Sequence, residues 1–206
     1  MNKKNTGKII AVVGAPRSGK SFLAELIAKH YEGELFLEGE EADFPKRIKE
    51  DIEKNIRPLE RIMWFRNKLV NEYLSALKYK KDGKIVVLDA FWFSYQLFID
   101  VLTEGFENDI MHEVAQNDRK LLSYPDIIVF LSVNEETIRK FVTLGGRQFD
   151  KSDEYIINQA LPVNKLHHEF FAKNKNIQGK IITVQRDEMD FARKEDFDKL
   201  INLIEA

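Results

Sequence analysis

The stretch "KIIAVVGAPRSGKS", residues 8–21, joins an unbroken apolar run to the pattern Gly, four residues, Gly-Lys-Ser. Consecutive apolar positions ended by glycine suit a strand covered on both faces. The pattern after it is that of a loop whose backbone N–H groups cradle phosphates, and strand-loop-helix is the context it needs. Gly14 and Gly19 let the backbone curl, and the following helix adds the positive end of its dipole. Lys20 then reaches the β and γ phosphates, and Ser21 offers a hydroxyl where Mg²⁺ bridges them. The expected cofactors are ATP, or GTP in its place, and Mg²⁺. The expected binding residues are Gly14, Ala15, Pro16, Arg17, Ser18, Gly19, Lys20, Ser21 and Phe22.

Outward from that strand, short apolar runs alternate with long charge-rich periodic segments, as in parallel strands crossed over by helices. Strands are expected at 8–13, 34–37, 84–89, 126–133 and 180–185. Helices are expected at 18–31, 43–55, 58–81, 134–144, 153–173 and 195–205, with one or two more within 91–122. Asn134 reads as an N-cap ahead of Glu135 and Glu136. The expected fold is α/β, a doubly wound five-stranded parallel sheet flanked by helices, in one domain over 1–206 with a short lid near 144–153.

The 206 residues are 44% hydrophobic and 32% charged, the composition of a helix-rich globular chain. A formal net charge of −2 with mixed signs offers no field for nucleic acid or an anionic membrane, so neither is an expected partner. Cysteine is absent, which fits a reducing compartment, and the cytoplasm is expected. The basic start "MNKKNTGK" precedes too short an apolar run for a signal peptide or a spanning helix.

In open α/β sheets ligands gather at the carboxyl ends of strands. Glu38 follows the second expected strand and Asp89 ends the third. One acid accepts the proton of an attacking hydroxyl while the other holds a magnesium-bound water. The aromatic run "DAFWFSYQLF", residues 89–98, follows Asp89 directly, and Phe91 is the first candidate to stack on a planar base. His167 and His168, on a charged helix without acids at ligand spacing, are expected at the surface.

These residues together resemble the deoxynucleoside kinases, the branch with bacterial deoxyadenosine and deoxyguanosine kinases, with thymidylate kinases more distant; the resemblance covers nearly the whole chain. It implies phosphoryl transfer from Mg-ATP to the 5′-hydroxyl of a deoxynucleoside, with Glu38 as the base, and a homodimer. Besides "FLEGEE", the segments that carry it are "YPDIIVFLSV", "ETIRKFVTLGGRQFD" and "DEMDF". The last implies that Asp190 and Phe191 wrap the adenine. Departures are equally specific. The proline expected after Glu38 is absent, and Asp89-Ala90-Phe91 stands where the family has an acid followed by Arg-Ser. The lid reads Gly-Gly-Arg, leaving Arg147. A base-reading glutamine is missing, with Arg66 or Asn67 in its stretch. Arg17 resembles the loop arginine of one group of thymidylate kinases whose lid is poor in basic residues. It is therefore expected to replace lid charge on the transferring group, where one guanidinium is worth roughly 10³ to 10⁵ in rate. Two alternatives stay open: a nucleoside monophosphate as acceptor, or a nucleotide-binding protein with weakened catalysis.

Overall fold

The structure, a computed structural model, describes residues 7–38, 44–144, 152–174 and 177–206. Its strands are β1 (Lys8–Gly14), β2 (Glu34–Phe36), β3 (Ile85–Asp89), β4 (Ile127–Ser132) and β5 (Lys180–Gln185). Its helices are α1 (Lys20–Tyr31), α2 (Lys46–Lys54), α3 (Pro58–Lys81), α4 (Ile99–Leu102), α5 (Gly105–Leu121), α6 (Glu135–Leu144), α7 (Asp153–Lys173) and α8 (Lys194–Glu205). A tight 3₁₀ turn over Ser94–Phe98 leads into α4. The strands form one parallel sheet in the order β2-β3-β1-β4-β5. The α/β class, the parallel sheet and its flanking helices are as the sequence leads one to expect.

Period-two geometry explains why the strand runs are apolar throughout. Ile10, Val12, Val87, Val129 and Leu131 face one way, onto Leu23 and Ile27 of α1 and Leu200 and Ile204 of α8. Ile9, Ala11, Val13, Leu88 and Phe130 face the other way, onto Tyr73 and Ala76 of α3 and Val163 and Phe171 of α7. β1 is hydrogen-bonded on both sides, so the phosphate-loop sequence leaves the sheet at its centre.

The boundaries differ where backbone geometry overrides pattern. α1 begins at Lys20 and not at 18, because Arg17 (φ 66°) and Gly19 (φ 91°) are left-handed and cannot belong to the helix. β2 stops at Phe36, where its pairing with β3 ends at Leu88. α2 starts after Pro45, whose ψ of 141° is extended; Asp43, the expected start, lies outside the described residues. The stretch 91–122 divides at Thr103 and Glu104, both extended. The expected cap of α6 forms, with Asn134 Oδ1 accepting from the Thr137 N–H at 2.7 Å. In α7, Ser152 Oγ accepts from the Tyr155 N–H at 3.1 Å, and Pro162 sits inside the helix. Among the described residues no helix is long and apolar enough to cross a membrane.

Candidate active site

The loop after β1 is shaped by its glycines. A Cβ on Gly14 would stand 2.8 Å from Ser18 Oγ and 2.9 Å from the Leu131 carbonyl oxygen, so no larger residue fits. Gly19 needs its left-handed φ for the chain to turn into α1. Lys20 folds back over the loop and donates to the Ala15 carbonyl at 3.2 Å. Arg17 adopts the left-handed conformation without being glycine, strain of a kind concentrated at functional loops. Within the loop, Ala15 and Ser18 are buried.

Asp89, at the carboxyl end of β3, is 3% exposed. Its Oδ2 accepts from Ser21 Oγ at 2.5 Å, and its Oδ1 has no partner. Burial raises the Asp89 pKa above the ordinary carboxylate value; the Lys20 charge opposes this, and the Glu38 charge adds to it. The main-chain N–H of Glu38 favours the ionised form. Thus the fold brings Lys20 and Ser21, Glu38 and Asp89 together from three separate stretches. Oxygen donors from a serine and a carboxylate with an orphaned oxygen suit Mg²⁺, which takes one or two protein ligands and completes its shell with water and phosphate. Among the described residues there is no group of three or more His, Asp or Glu that would hold a metal by protein ligands alone.

Beside this cluster opens a cavity of about 540 Å³. Gly14, Pro16, Arg17, Lys20, Ser21 and Phe22 line its phosphate end, and Glu38 lines it too. Ile62, Phe65, Leu69, Tyr95, Phe98 and Leu102 form an apolar lobe. Arg61, Ser94, Gln159, His167 and Arg186 line the cavity, and each carries a buried polar atom with no partner: Arg61 Nε, Ser94 Oγ, Gln159 Nε2, His167 Nε2 and Arg186 Nε. Buried polar atoms are nearly always satisfied, so these orphans along the cavity mark contacts for a polar ligand.

Several sequence expectations need correction. Phe91 is 1% exposed, packed among Tyr73, Trp92, Phe93 and Tyr124, and offers no face to a base. Rings that do line the cavity include Phe65, Tyr95 and Phe98. Arg66 does not reach it: Nε and Nη2 grip Asp118 at 2.8 and 2.5 Å, and Nη1 donates to the exposed Asn67 at 3.0 Å. Its influence passes through Asp118, which accepts from the cavity-lining Tyr95 hydroxyl at 2.7 Å. Phe191 is buried in the core between the sheet and α8, and Asp190 turns its carboxylate to the Ala192 N–H. Arg147 and most of the expected lid lie outside the described residues. His167, expected at the surface, is 2% exposed and stacks on Phe130. Burial pushes its pKa down to about 3, with Lys20 and His168 adding to the effect and the Val163 carbonyl opposing it. Its Nδ1 lies 2.9 Å from the Val163 oxygen, which only accepts, so Nδ1 carries the proton and Nε2 is an acceptor. His168 is exposed, as expected.

Sequence reasoning missed Arg61, Tyr155, Gln159 and Arg186. The guanidinium of Arg186 lies between the rings of Phe141 and Phe191, 5.1 and 5.3 Å from their centroids. A Cβ on Gly19 would come within 3.6 Å of its Nε, which puts Arg186 against the phosphate loop. The one sequence signal for Arg61 is a charge set among apolar residues in "ERIMWF".

No protein-family model and no curated protein matches the chain. Solved structures do. Deoxyadenosine kinase from M. mycoides with bound dATP superposes with a TM-score of 0.70 at 17% identity, covering 97% of this chain and 100% of that one. The same enzyme with the products dCMP and dCDP gives 0.72 at 21%, covering 96% and 98%. Thymidylate kinase from Candida albicans gives 0.67 at 17%, covering 97% and 92%. Over nearly its whole length, then, the chain has the fold of the deoxynucleoside and thymidylate kinases.

Proposed function

We propose that the protein is a Mg-ATP-dependent kinase that transfers the γ-phosphoryl group to the 5′-hydroxyl of a deoxynucleoside. The observation that carries this reading is Glu38, which lines the same cavity as Lys20 and Ser21. Glu38 takes the proton of the acceptor hydroxyl as its oxygen bonds to phosphorus, and the bond to the bridging oxygen breaks to release ADP. Lys20 and Arg17 hold charge on the moving group, with Arg147 joining from the lid. Ser21 and Asp89 would hold Mg²⁺, which would supply charge neutralisation on the phosphate oxygens. The apolar lobe takes the base against Phe65 and Phe98. A cytoplasmic setting and a homodimer belong to the same reading, the latter checked by sedimentation.

The test is ADP release across a panel of deoxynucleosides and their monophosphates. A deoxynucleoside is expected to stimulate release, and Glu38→Gln to cut kcat by about 10² to 10⁴ with ATP affinity kept. If no nucleoside stimulates the wild-type protein, the 5′-hydroxyl reading fails. A monophosphate acceptor is the second reading, favoured by a buried arginine on the cavity wall.

A further inference from the structure

Glu38 stands just past the sheet, and α3 supplies its hold there. The ladder between β2 and β3 ends at the Phe36–Leu88 pair, so the Leu37–Glu38 peptide lies beyond it. No proline follows to restrict the Glu38 backbone, since residue 39 is glycine. Side chains take the place of the ladder. Lys68 Nζ donates to the Leu37 carbonyl at 3.1 Å. At the other end of the same peptide, the Glu38 N–H stabilises the Asp89 carboxylate, whose Oδ2 also accepts from Ser21. Lys68 is itself aimed by Glu72, one helical turn on; the two form an ion pair with side chains only 18% and 21% exposed.

Glu72 belongs to the electrostatic neighbourhood of the site. Burial raises its pKa, Lys68 opposes this, and the charges of Glu38 and Asp89 add to the rise. Three carboxylates therefore share one region, where Lys68 answers Glu72 as Lys20 answers Asp89. Leu69, the next residue on α3, lines the cavity, and Lys68 does not. A cation outside the cavity acts on the reaction only through the groups it holds. We propose that Lys68, held by Glu72, is the positioning residue of Glu38: it fixes the Leu37–Glu38 peptide, and with it the direction in which the Glu38 carboxylate leaves the backbone. The inference rests on reading Glu38 as the base that faces the acceptor hydroxyl. A general base works only within hydrogen-bond reach of the proton it takes, and a displacement of about 1 Å costs on the order of 10² in rate. Binding of ATP and of the base does not pass through this peptide, so its position shows in kcat.

The experiment combines steady-state kinetics with hydrogen exchange at the Glu38 amide, in wild-type protein and in Lys68→Met. Lys68→Met is expected to lower kcat for deoxynucleoside-stimulated ADP release by about 10- to 100-fold, with both KM values kept within a few-fold. In a Glu38→Gln background the same substitution is expected to change kcat less than about twofold, since the group it positions is gone. The Lys68→Met/Glu72→Gln double variant, which strands no acid, is expected to be as slow as Lys68→Met. In ligand-free wild type the Glu38 amide is expected to be protected, and in Lys68→Met to exchange about 10-fold faster with the β3 amides unchanged. An unchanged kcat, an equal loss in the Glu38→Gln background, recovery in the double variant, or an unprotected Glu38 amide in the wild type overturns the proposal. The last is read on the wild type alone, so it decides even if the variant does not fold. If no deoxynucleoside stimulates the wild type while the Glu38 amide loses protection in Lys68→Met, the kinase reading falls and the clamp on the peptide stands.

Discussion

At the scale of single residues, the site spends stability on charge. Asp89 is buried with its proton affinity raised, so at neutral pH its ionised form is disfavoured in the fold relative to the unfolded chain. Asp89→Asn removes that penalty. The ligand-free protein is expected to gain about 1 kcal/mol by calorimetry, while magnesium-dependent ADP release falls at least a hundredfold. A lower melting temperature would instead make the carboxylate structural. Arg17 is held left-handed on the cavity wall. Arg17→Ala is expected to keep nucleotide affinity within a few-fold and lose turnover by about 10³; unchanged turnover would remove Arg17 from the chemistry. Residues whose placement is local were legible in the sequence: Gly14, Gly19, Lys20 and Ser21 line the cavity where the chain itself puts them. Arg61, Arg186 and His167 were not, because their meaning depends on the element facing them, and an arginine or histidine on a charge-rich helix reads as solvated.

At the scale of elements, β1, β3 and β4 were readable because burial on both faces leaves no polar position in their middles. Ends were less so. Arg17 and Gly19 hold back the start of α1 through left-handed backbone angles that composition hardly registers. The run Phe91-Trp92-Phe93 is buried on all sides, so it carries no periodicity to separate a 3₁₀ turn from a helix. Capping was readable, since it needs only a side chain and the N–H three residues on. Asn134→Ala is expected to cost about 1 kcal/mol, measured by urea unfolding. That cap starts the helix bearing Phe141, so the variant is also expected to weaken ATP binding more than nucleoside binding.

At the scale of the whole molecule, sheet order decides what meets at the site. β1 and β3 are adjacent although three helices and β2 separate them in sequence, and this puts Asp89 beside Ser21. His167 links the same region to acid stability. Its folded pKa of about 3 lies below the unfolded value of 6.5. Its contribution is therefore fully present above about pH 6.5 and is lost as pH falls toward 3, while only the unfolded chain takes up the proton. Between pH 6.5 and 5 the wild type is expected to lose about 2 kcal/mol relative to His167→Phe, read from denaturant midpoints at each pH; parallel curves would refute the assignment.

Pro162 gives α7 a mechanical division of labour. Lacking an N–H, it leaves the Asn158 carbonyl without its helical donor, so bending is cheapest at that turn. Beyond it, Asn164 is tied to the Val133 carbonyl at 2.9 Å and His167 is stacked on Phe130, an arm bolted to β4. Ahead of it, Tyr155 and Gln159 line the cavity, on turns whose Ile157 and Ala160 pack against Ile138 and Val142 of α6. A ligand held by Tyr155 therefore bears on the half of α7 that packs on α6, one proline away from the half that packs on the sheet.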